Sequence, residues 1–590
     1  MRKNLSLLLA LVMAFTVLCG NLGAIAFAEP IGAITEPIEG TVQLESDLYG
    51  NSAVGSKAAV TSANQYTTRI GMQILEEGGN AVDAAVAMLF ANSLTEPGAS
   101  SLGGAAFMTI YLKDTNEYVC IEGMETVPAA YGIDTLDAIN EGGSEMLVTV
   151  PGQVHTALTA LEKYGTMTRE QVLAPVIELA EEGFPVFTSF EERASSKYDT
   201  FVSSEQFAEA ARIFTNDGLP YAIGDHFSNP DYAETLRKIV DGGIDAFYKG
   251  EIAQAIVDFV QEYGGMITME DFANYTCVER EPLVTDYHGY TIITQDQPSN
   301  GGANLIEFMN ILENFDLKAM GYNTPEFLFT FNEAYRLCTA DSSISSGDPD
   351  FMNLPTAKRI DKEYAKERAA LVPAYGQVVA SVEPGDLESS MKETVLENES
   401  PDTTQVAVID EFGNMVSATM TIGNYFGDGL VAPGTGFPLN SHLRNVRTTI
   451  EDKDNPNFVR GGLRVISTMC PTLVVKDGEP VLAVGSPGSA VIPPLNALMI
   501  IGIIEFGIDP QEAINLPRAF CTSAGKPTLQ VEDRFEYGTV VALENCGYEI
   551  NNRGSWSTGM GSAALVYRDL ENDRVVAASD PRRQYRSEAY

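Results

Sequence analysis

The stretch from Asp402 to Gly429 constrains this chain more than any other. Residues 404–410 and 415–421 read as two short strands around the turn-forming Glu411-Phe412-Gly413-Asn414. The approach to them is acidic: Ser381 to Ser400 carries Glu383, Asp386, Glu388, Glu393, Glu397 and Glu399, few apolar residues and no aromatic. That is the composition of a solvated linker, assigned here to residues 380–402. A linker running straight into a strand that begins Thr403-Thr404 is a place where a chain can be cut.

The chemistry of threonine explains why a cut there would matter. Its hydroxyl is a poor nucleophile and needs a base. Where no histidine serves, the residue's own α-amino group can, provided the threonine is the first residue of a chain. Thr403 would attack the carbonyl of Asp402, form an ester and, after hydrolysis, carry a new α-amine. The hairpin adds a second hydroxyl. If Glu411 to Asn414 form the turn, Asp410 faces Met415 and Thr404 faces Thr421. A loop one residue longer sets Thr403 opposite Thr421. Both registers keep Thr421 within cross-strand reach of the nucleophile. Threonine is also a good strand former, so these two residues alone identify no site.

A second loop suits the same chemistry. Gly485-Ser486-Pro487-Gly488-Ser489 follows the strand Val481 to Val484 and precedes a helix expected near Pro493 or Pro494. Small residues there leave backbone N–H groups available to an oxyanion, although a plain strand-to-helix turn reads the same way.

The rest of the chain frames this hairpin. Gly78-Gly79-Asn80 separates two helices, the second being the Ala-rich Ala81 to Leu89. Phe107 to Leu112 and 118–122 read as strands. Helical regions follow over 148–183, 231–263, 298–315 and 327–368. After 402 the chain turns strand-rich, at 404–410, 415–421, 472–476, 481–484, 563–567 and 575–578. A helix-rich first part and a strand-rich second part predict an α+β layered fold.

Composition narrows the classes. Arg2 and Lys3, the apolar run Leu5 to Leu18 and Ala26-Phe27-Ala28 form a secretory signal over 1–28. This predicts a secreted, extracellular or periplasmic protein with no membrane span once the signal is gone. Its removal takes two cations from a chain of net charge −44, leaving −46. Such a charge serves solubility and disfavours nucleic acid as a partner. Cys120, Cys277, Cys338, Cys470, Cys521 and Cys546 form no CxxC pair and read as buried thiols. His155, His226, His288 and His442 show no metal-binding spacing, so neither a metal nor a Ser-His-Asp triad is expected.

From about Lys57 onward the chain resembles the γ-glutamyltransferase (glutathione hydrolase) family. The stretches that carry the resemblance occur in order. They are Gly78 to Ala85, Ser101-Leu102-Gly103-Gly104, Tyr164 to Met167, Tyr248-Lys249-Gly250, Gly264 to Asp271, Gly347 to Asp350, Thr403-Thr404, Gly413-Asn414, Phe426-Gly427, Pro471-Thr472, Gly485 to Gly488 and Ser579 to Arg582. The resemblance implies a four-layer αββα sandwich of the N-terminal-nucleophile (Ntn) hydrolase type. It implies no cofactor, and a precursor cut into a large part, 29–402, and a small part, 403–590. The two would stay together as one intertwined fold acting on a small amide or peptide.

By position, Thr403 is then the nucleophile and Asp402-Thr403 the processing site. Thr421 is the supporting hydroxyl, and Gly488 with Ser489 form the oxyanion hole. Ser467 and Thr468 hold the substrate carboxylate. The charged readers of a glutamyl group have changed. Met124 stands at the position of the carboxylate-pairing arginine. Gly423 and His442 stand at the amine-reading positions, and Asn445 replaces the acid that pairs with the ammonium. Arg444 is a candidate replacement cation, and Gln405 stands where the family commonly has histidine. These departures favour an acylase for a non-glutamyl group as the alternative, with an inactive binding homologue as a further one.

Overall fold

Every residue of Thr403–Ile409 and of Met415–Thr421 is buried. A strand hairpin buried at all positions needs cover on both faces, and the fold supplies a helical layer on one and a second sheet on the other. The computed structural model describes residues 51–389, 391 and 402–590. The signal segment 1–28 and residues 390 and 392–401 of the acidic linker lie outside them.

Two seven-stranded sheets face each other. The hairpin lies within one, in the order Arg586–Ala589, Ala59–Ser62, Thr403–Ile409, Met415–Thr421, Ala105–Leu112, Glu117–Gly123, Val278–Arg280. The other runs Ser52–Gly55, Arg574–Ser579, Ala564–Asp569, Glu479–Gly485, Thr472–Lys476, Tyr290–Thr294, Leu283–Tyr287. Strand alternation sorts the hairpin's side chains. Val406, Val408, Val416, Ala418 and Met420 enter the core shared with the helices. Ala407, Ile409 and Met415 enter the apolar layer between the sheets, with Leu473, Val475, Ala483 and Val566. By the same alternation Thr403, Gln405, Thr419 and Thr421 belong to the face toward the second sheet.

Helices Gln65–Glu76, Ala81–Thr95, Gln153–Tyr164 and Arg169–Glu182 cover the hairpin's sheet. Asn300–Leu312, Pro325–Ser343 and Ile492–Ile500 cover the other. The αββα layering is therefore present. All fifteen residues of Ala81–Thr95 are buried, which its run of alanines permits by letting backbone approach sheet. Asn80 caps it: its side chain accepts from the N–H groups of Val82 and Asp83, and Asp83 accepts the N–H of Asn80. Among the described residues no helix is long and apolar enough to cross a membrane. The six described cysteines are free thiols, five of them buried and Cys277 half-buried.

Candidate active site

The hairpin loop sets the site's register. Ile409, not Asp410, faces Met415, so Thr403 faces Thr421 and Thr404 faces Met420. The equal-length turn of the sequence reading is replaced by a loop one residue longer, and Asp410 is the reason. Its carboxylate accepts the N–H groups of Phe412 and Asn414, at 2.9 Å each, and that of Ala81 at 2.8 Å. Asp410 thus folds the loop and ties it to the start of the helix beneath, instead of extending the ladder.

At the other end of the hairpin, Thr421 Oγ1 donates to the carbonyl oxygen of Asp402 at 3.0 Å. The N–H of Gly423 donates to that same hydroxyl at 3.3 Å, which orients its proton toward Asp402. Asp402, Thr403 and Thr421 are all buried. Arg583, also buried, donates from Nη1 to the Thr403 carbonyl at 2.7 Å. The Asp402 side chain is hydrogen-bonded to Tyr425 and lies within the electrostatic reach of Arg193. Burial, and behind it the Asp402 carboxylate, push the Tyr425 phenol above its ordinary pKa. Arg193 is held by Glu96 at 2.9 Å and lies over the Tyr425 ring. The Asp402–Thr403 peptide is therefore clamped on both sides, with a hydroxyl donor on the carbonyl that an attack would convert to an oxyanion.

The glycine loop leaves the second sheet close by. Ser417 Oγ donates to the Val484 carbonyl at 2.9 Å. A Cβ on Gly485 would fall 2.4 Å from the Gln405 amide. Gln405 occupies that gap firmly: it donates to Val406 O and Ser417 Oγ, both at 2.8 Å, and accepts from Thr419 Oγ1 at 2.5 Å. Gly488 and Ser489 follow, with φ of +141° and +57°, at the entry to the short turn Ser489–Val491.

The residues matched to substrate reading fall into four places. Ser467 and Thr468 are buried against the start of helix Asn300–Leu312. The Asn300 N–H donates to the Ser467 carbonyl at 2.8 Å, and Gly301 leaves room for the Thr468 carbonyl. The Pro298 to Gly302 loop thus supports that pair. Met124 is fully buried, its N–H on Glu122 at 2.6 Å and its carbonyl accepting from Tyr275 at 2.9 Å and Arg464 at 3.3 Å. Gly423 and His442 meet each other: Gly423 has φ +87°, and a Cβ on it would lie 3.5 Å from His442 Cδ2 and 2.9 Å from Ser441 Oγ. The crowding at 423 comes from Ser441 Oγ and the positive φ, while the His442 ring lies at ordinary contact distance.

Asn445 is half-buried and stands apart, its carbonyl accepting from Asn457 Nδ2. It lines an open groove of about 720 Å³ with Asn424, Arg444 and Gly143. Arg444 is turned outward and makes two hydrogen bonds to Asp428, at 2.7 and 3.0 Å. It is committed there and does not stand in for the arginine missing at Met124.

Several functional neighbours escaped the sequence reading. Glu125, one residue past Met124, binds His442 Nδ1 at 2.7 Å with both side chains buried. Arg583 directly follows the Ser579 to Arg582 motif, and Arg193, Glu96 and Tyr425 surround Asp402. Only adjacency to a quoted motif could have pointed to Glu125 and Arg583.

Residues 67–590 match the Gamma-glutamyltranspeptidase family. The glutathione hydrolase proenzyme of Pseudomonas sp. (strain A14) is 35% identical over 543 residues, 89% of this chain and 92% of that protein. The Acylase ACY 1 proenzyme of Pseudomonas sp. (strain V22) is 32% identical over 533 residues, 87% of this chain and 90% of that protein. The crystal structure of cephalosporin acylase from Bacillus halodurans superposes with a TM-score of 0.82 at 26% identity, over 92% of this chain and 97% of that one.

Proposed function

The chain belongs to the gamma-glutamyltranspeptidase family and is an enzyme of the Ntn hydrolase and transferase type, and from that premise we propose that it matures by cutting itself at Asp402-Thr403 and then transfers acyl groups through Thr403. The observation that carries the proposal is the Thr421 hydroxyl on the Asp402 carbonyl, directly across the ladder from Thr403.

In maturation the Thr403 hydroxyl adds to the Asp402 carbonyl carbon. The Oγ–C bond forms, the C–N bond breaks, and the hydroxyl proton ends on the departing nitrogen. Water then opens the ester, leaving an Asp402 carboxylate and a Thr403 with both hydroxyl and α-amine. In turnover the hydroxyl attacks an amide carbonyl while the α-amine takes its proton and passes it to the leaving amine. Water or a second amine then lifts the acyl group off. The backbone N–H groups of Gly488 and Ser489 would receive the oxyanion. Ser467 and Thr468 would orient the acyl chain.

Fragments 29–402 and 403–590 would remain joined. Thr403–Ile409 is hydrogen-bonded to Ala59–Ser62 from the first fragment, and Met415–Thr421 to Ala105–Leu112. The segment 1–28 would direct export before this step, making the mature enzyme secreted or periplasmic.

For substrate, a γ-glutamyl amide is the reading that the family supports. The competing reading, an acylase for a non-glutamyl group, is favoured by Met124, Gly423 and Asn445. Intact-mass spectrometry tests the core of the proposal. The wild-type chain should yield a fragment beginning at Thr403, and Thr403→Ala should stay whole. A Thr403→Ala chain still split at this bond would assign the cut to an outside protease. A wild-type chain that stays whole would favour an inactive binding protein. Rates on γ-glutamyl-p-nitroanilide against other acyl anilides separate the two substrate readings, and a strong saturable γ-glutamyl rate would sink the acylase.

A further inference from the structure

Glu125 is a buried carboxylate whose second oxygen has no hydrogen-bond partner among the described residues. Its Oε1 takes His442 Nδ1 at 2.7 Å, while Oε2, buried, meets no donor among the described residues. The neighbouring Glu122 is different: Arg280, Arg464 and the Met124 N–H saturate it. An unmatched carboxylate oxygen is costly to bury, so this position calls for a donor. It also lies on the path to the reacting bond. The His442 ring packs on Gly423, the Gly423 N–H binds Thr421 Oγ1, and that hydroxyl binds the Asp402 carbonyl.

We propose that Glu125, with His442 held by it, reads a protonated amine on the acyl group of the substrate, and that the enzyme prefers ω-amino acyl amides lacking a carboxylate. The proposal rests on Thr403 carrying that acyl group. Its logic is a transfer of roles. The anionic reader lost at Asn445 is replaced by Glu125, which holds the imidazole of His442. With the Nδ1 proton on Glu125, a neutral His442 would present at Nε2 a lone pair, an acceptor for an N–H and not a donor for a carboxylate. The cation lost at Met124 has no such replacement nearby: Arg464 is committed to Glu122 and the Met124 and Thr276 carbonyls, and Arg444 to Asp428. A carboxylate brought against Met124 would be desolvated without a partner.

Four p-nitroanilides dissect the head group: γ-glutamyl with both charges, 4-aminobutyryl with the ammonium alone, glutaryl with the carboxylate alone, and butyryl with neither. The 4-aminobutyryl compound should lead the glutaryl one by roughly ten- to a hundredfold in kcat/KM, the range of one charge-assisted contact, and should exceed γ-glutamyl. Glu125→Gln keeps the hydrogen bond to His442 but turns Oε2 into a donor. It should erase that lead through KM, with Glu125→Asp retaining part of it. Glutaryl or butyryl leading in the wild type would overturn the proposal, as would a lead that survives Glu125→Gln. Titration calorimetry with the four free acids is read alongside. It reports the same ranking without turnover, so a failed nucleophile and a failed Glu125 give different results: no hydrolysis with 4-aminobutyrate still bound best, against hydrolysis or binding in another order.

Discussion

Replacing Thr421 by valine removes one oxygen from the site and little else. Valine matches threonine in shape and suits a strand, so the ladder from Thr403–Thr421 to Ile409–Met415 should persist. The lost hydroxyl donates to the Asp402 carbonyl at 3.0 Å, the oxygen that becomes negative when Thr403 attacks. Loss of one donor to a developing oxyanion slows a reaction by about 10²–10³, or roughly 2.7–4 kcal/mol of barrier. The Gly423 N–H also loses its acceptor at 3.3 Å, a cost to folding of about 1 kcal/mol. The assay follows the disappearance of the uncut chain on denaturing gels, with the thermal midpoint measured on the same samples. Thr421→Val should lengthen the half-life of the precursor by about two to three powers of ten with a modest fall in midpoint, while Thr421→Ser, which keeps the donor, should stay within about one. A valine variant that is folded and cuts within about threefold of the wild-type rate would refute the assignment, since a donor worth that little supplies no more than ~0.7 kcal/mol.

Three further outcomes follow from contacts around the hairpin. Arg583→Met removes the guanidinium from the Thr403 carbonyl and should slow self-cleavage by roughly ten- to a hundredfold, the worth of a charged hydrogen bond, with Arg583→Lys intermediate on the same gels. Gly485→Ala should lower the urea midpoint by the equivalent of about 1–3 kcal/mol, because its methyl meets an amide fixed by three hydrogen bonds; adding Gln405→Ala should recover part of that loss. Asp580 is buried. Burial alone would raise its carboxyl, but Arg518 and Arg582 more than offset this and hold it below the ordinary range. A depressed pKa contributes stability above the unfolded value near 3.9 that is lost as pH falls through the folded one. Asp580→Asn should therefore cost about 3–5 kcal/mol at pH 7 in urea titrations, with the gap to wild type narrowing below about pH 4.

How much of this was written in the sequence depends on how far apart the cooperating residues lie. The hairpin, the helix break at Gly78 to Asn80 and the strands after 402 are local patterns, and the structure has them close to where alternation and turn chemistry place them. The hairpin register was open by one residue because it rests on Asp410, whose partner Ala81 is 329 positions away. No local rule sees an acceptor that distant, so turn propensity alone gave the shorter loop. The same separation hid the clamp on the nucleophile, where Arg583 is 180 residues from Thr403.

The altered readers show the other limit. Met124, Gly423, His442 and Asn445, read singly in the sequence, describe a site without the charges expected for a glutamyl group. In the fold they are not independent. The His442 ring lies against Gly423, and His442 is held by Glu125, which sits 317 residues away in sequence. The position next to Met124 thus gains an anionic role through an imidazole that arrives from another part of the chain. Substitutions that look like losses at single positions can amount to one exchange when a shared volume couples them, and that coupling is a property of packing. A His442→Gln variant makes the point testable. It supplies the residue type that the resemblance expects at that position, and its amide can donate to Glu125 but lacks the second ring nitrogen of the imidazole. If the sites were independent it would improve γ-glutamyl turnover. The coupled geometry predicts that it leaves γ-glutamyl turnover low and weakens 4-aminobutyryl turnover by about tenfold, the value of one charged contact.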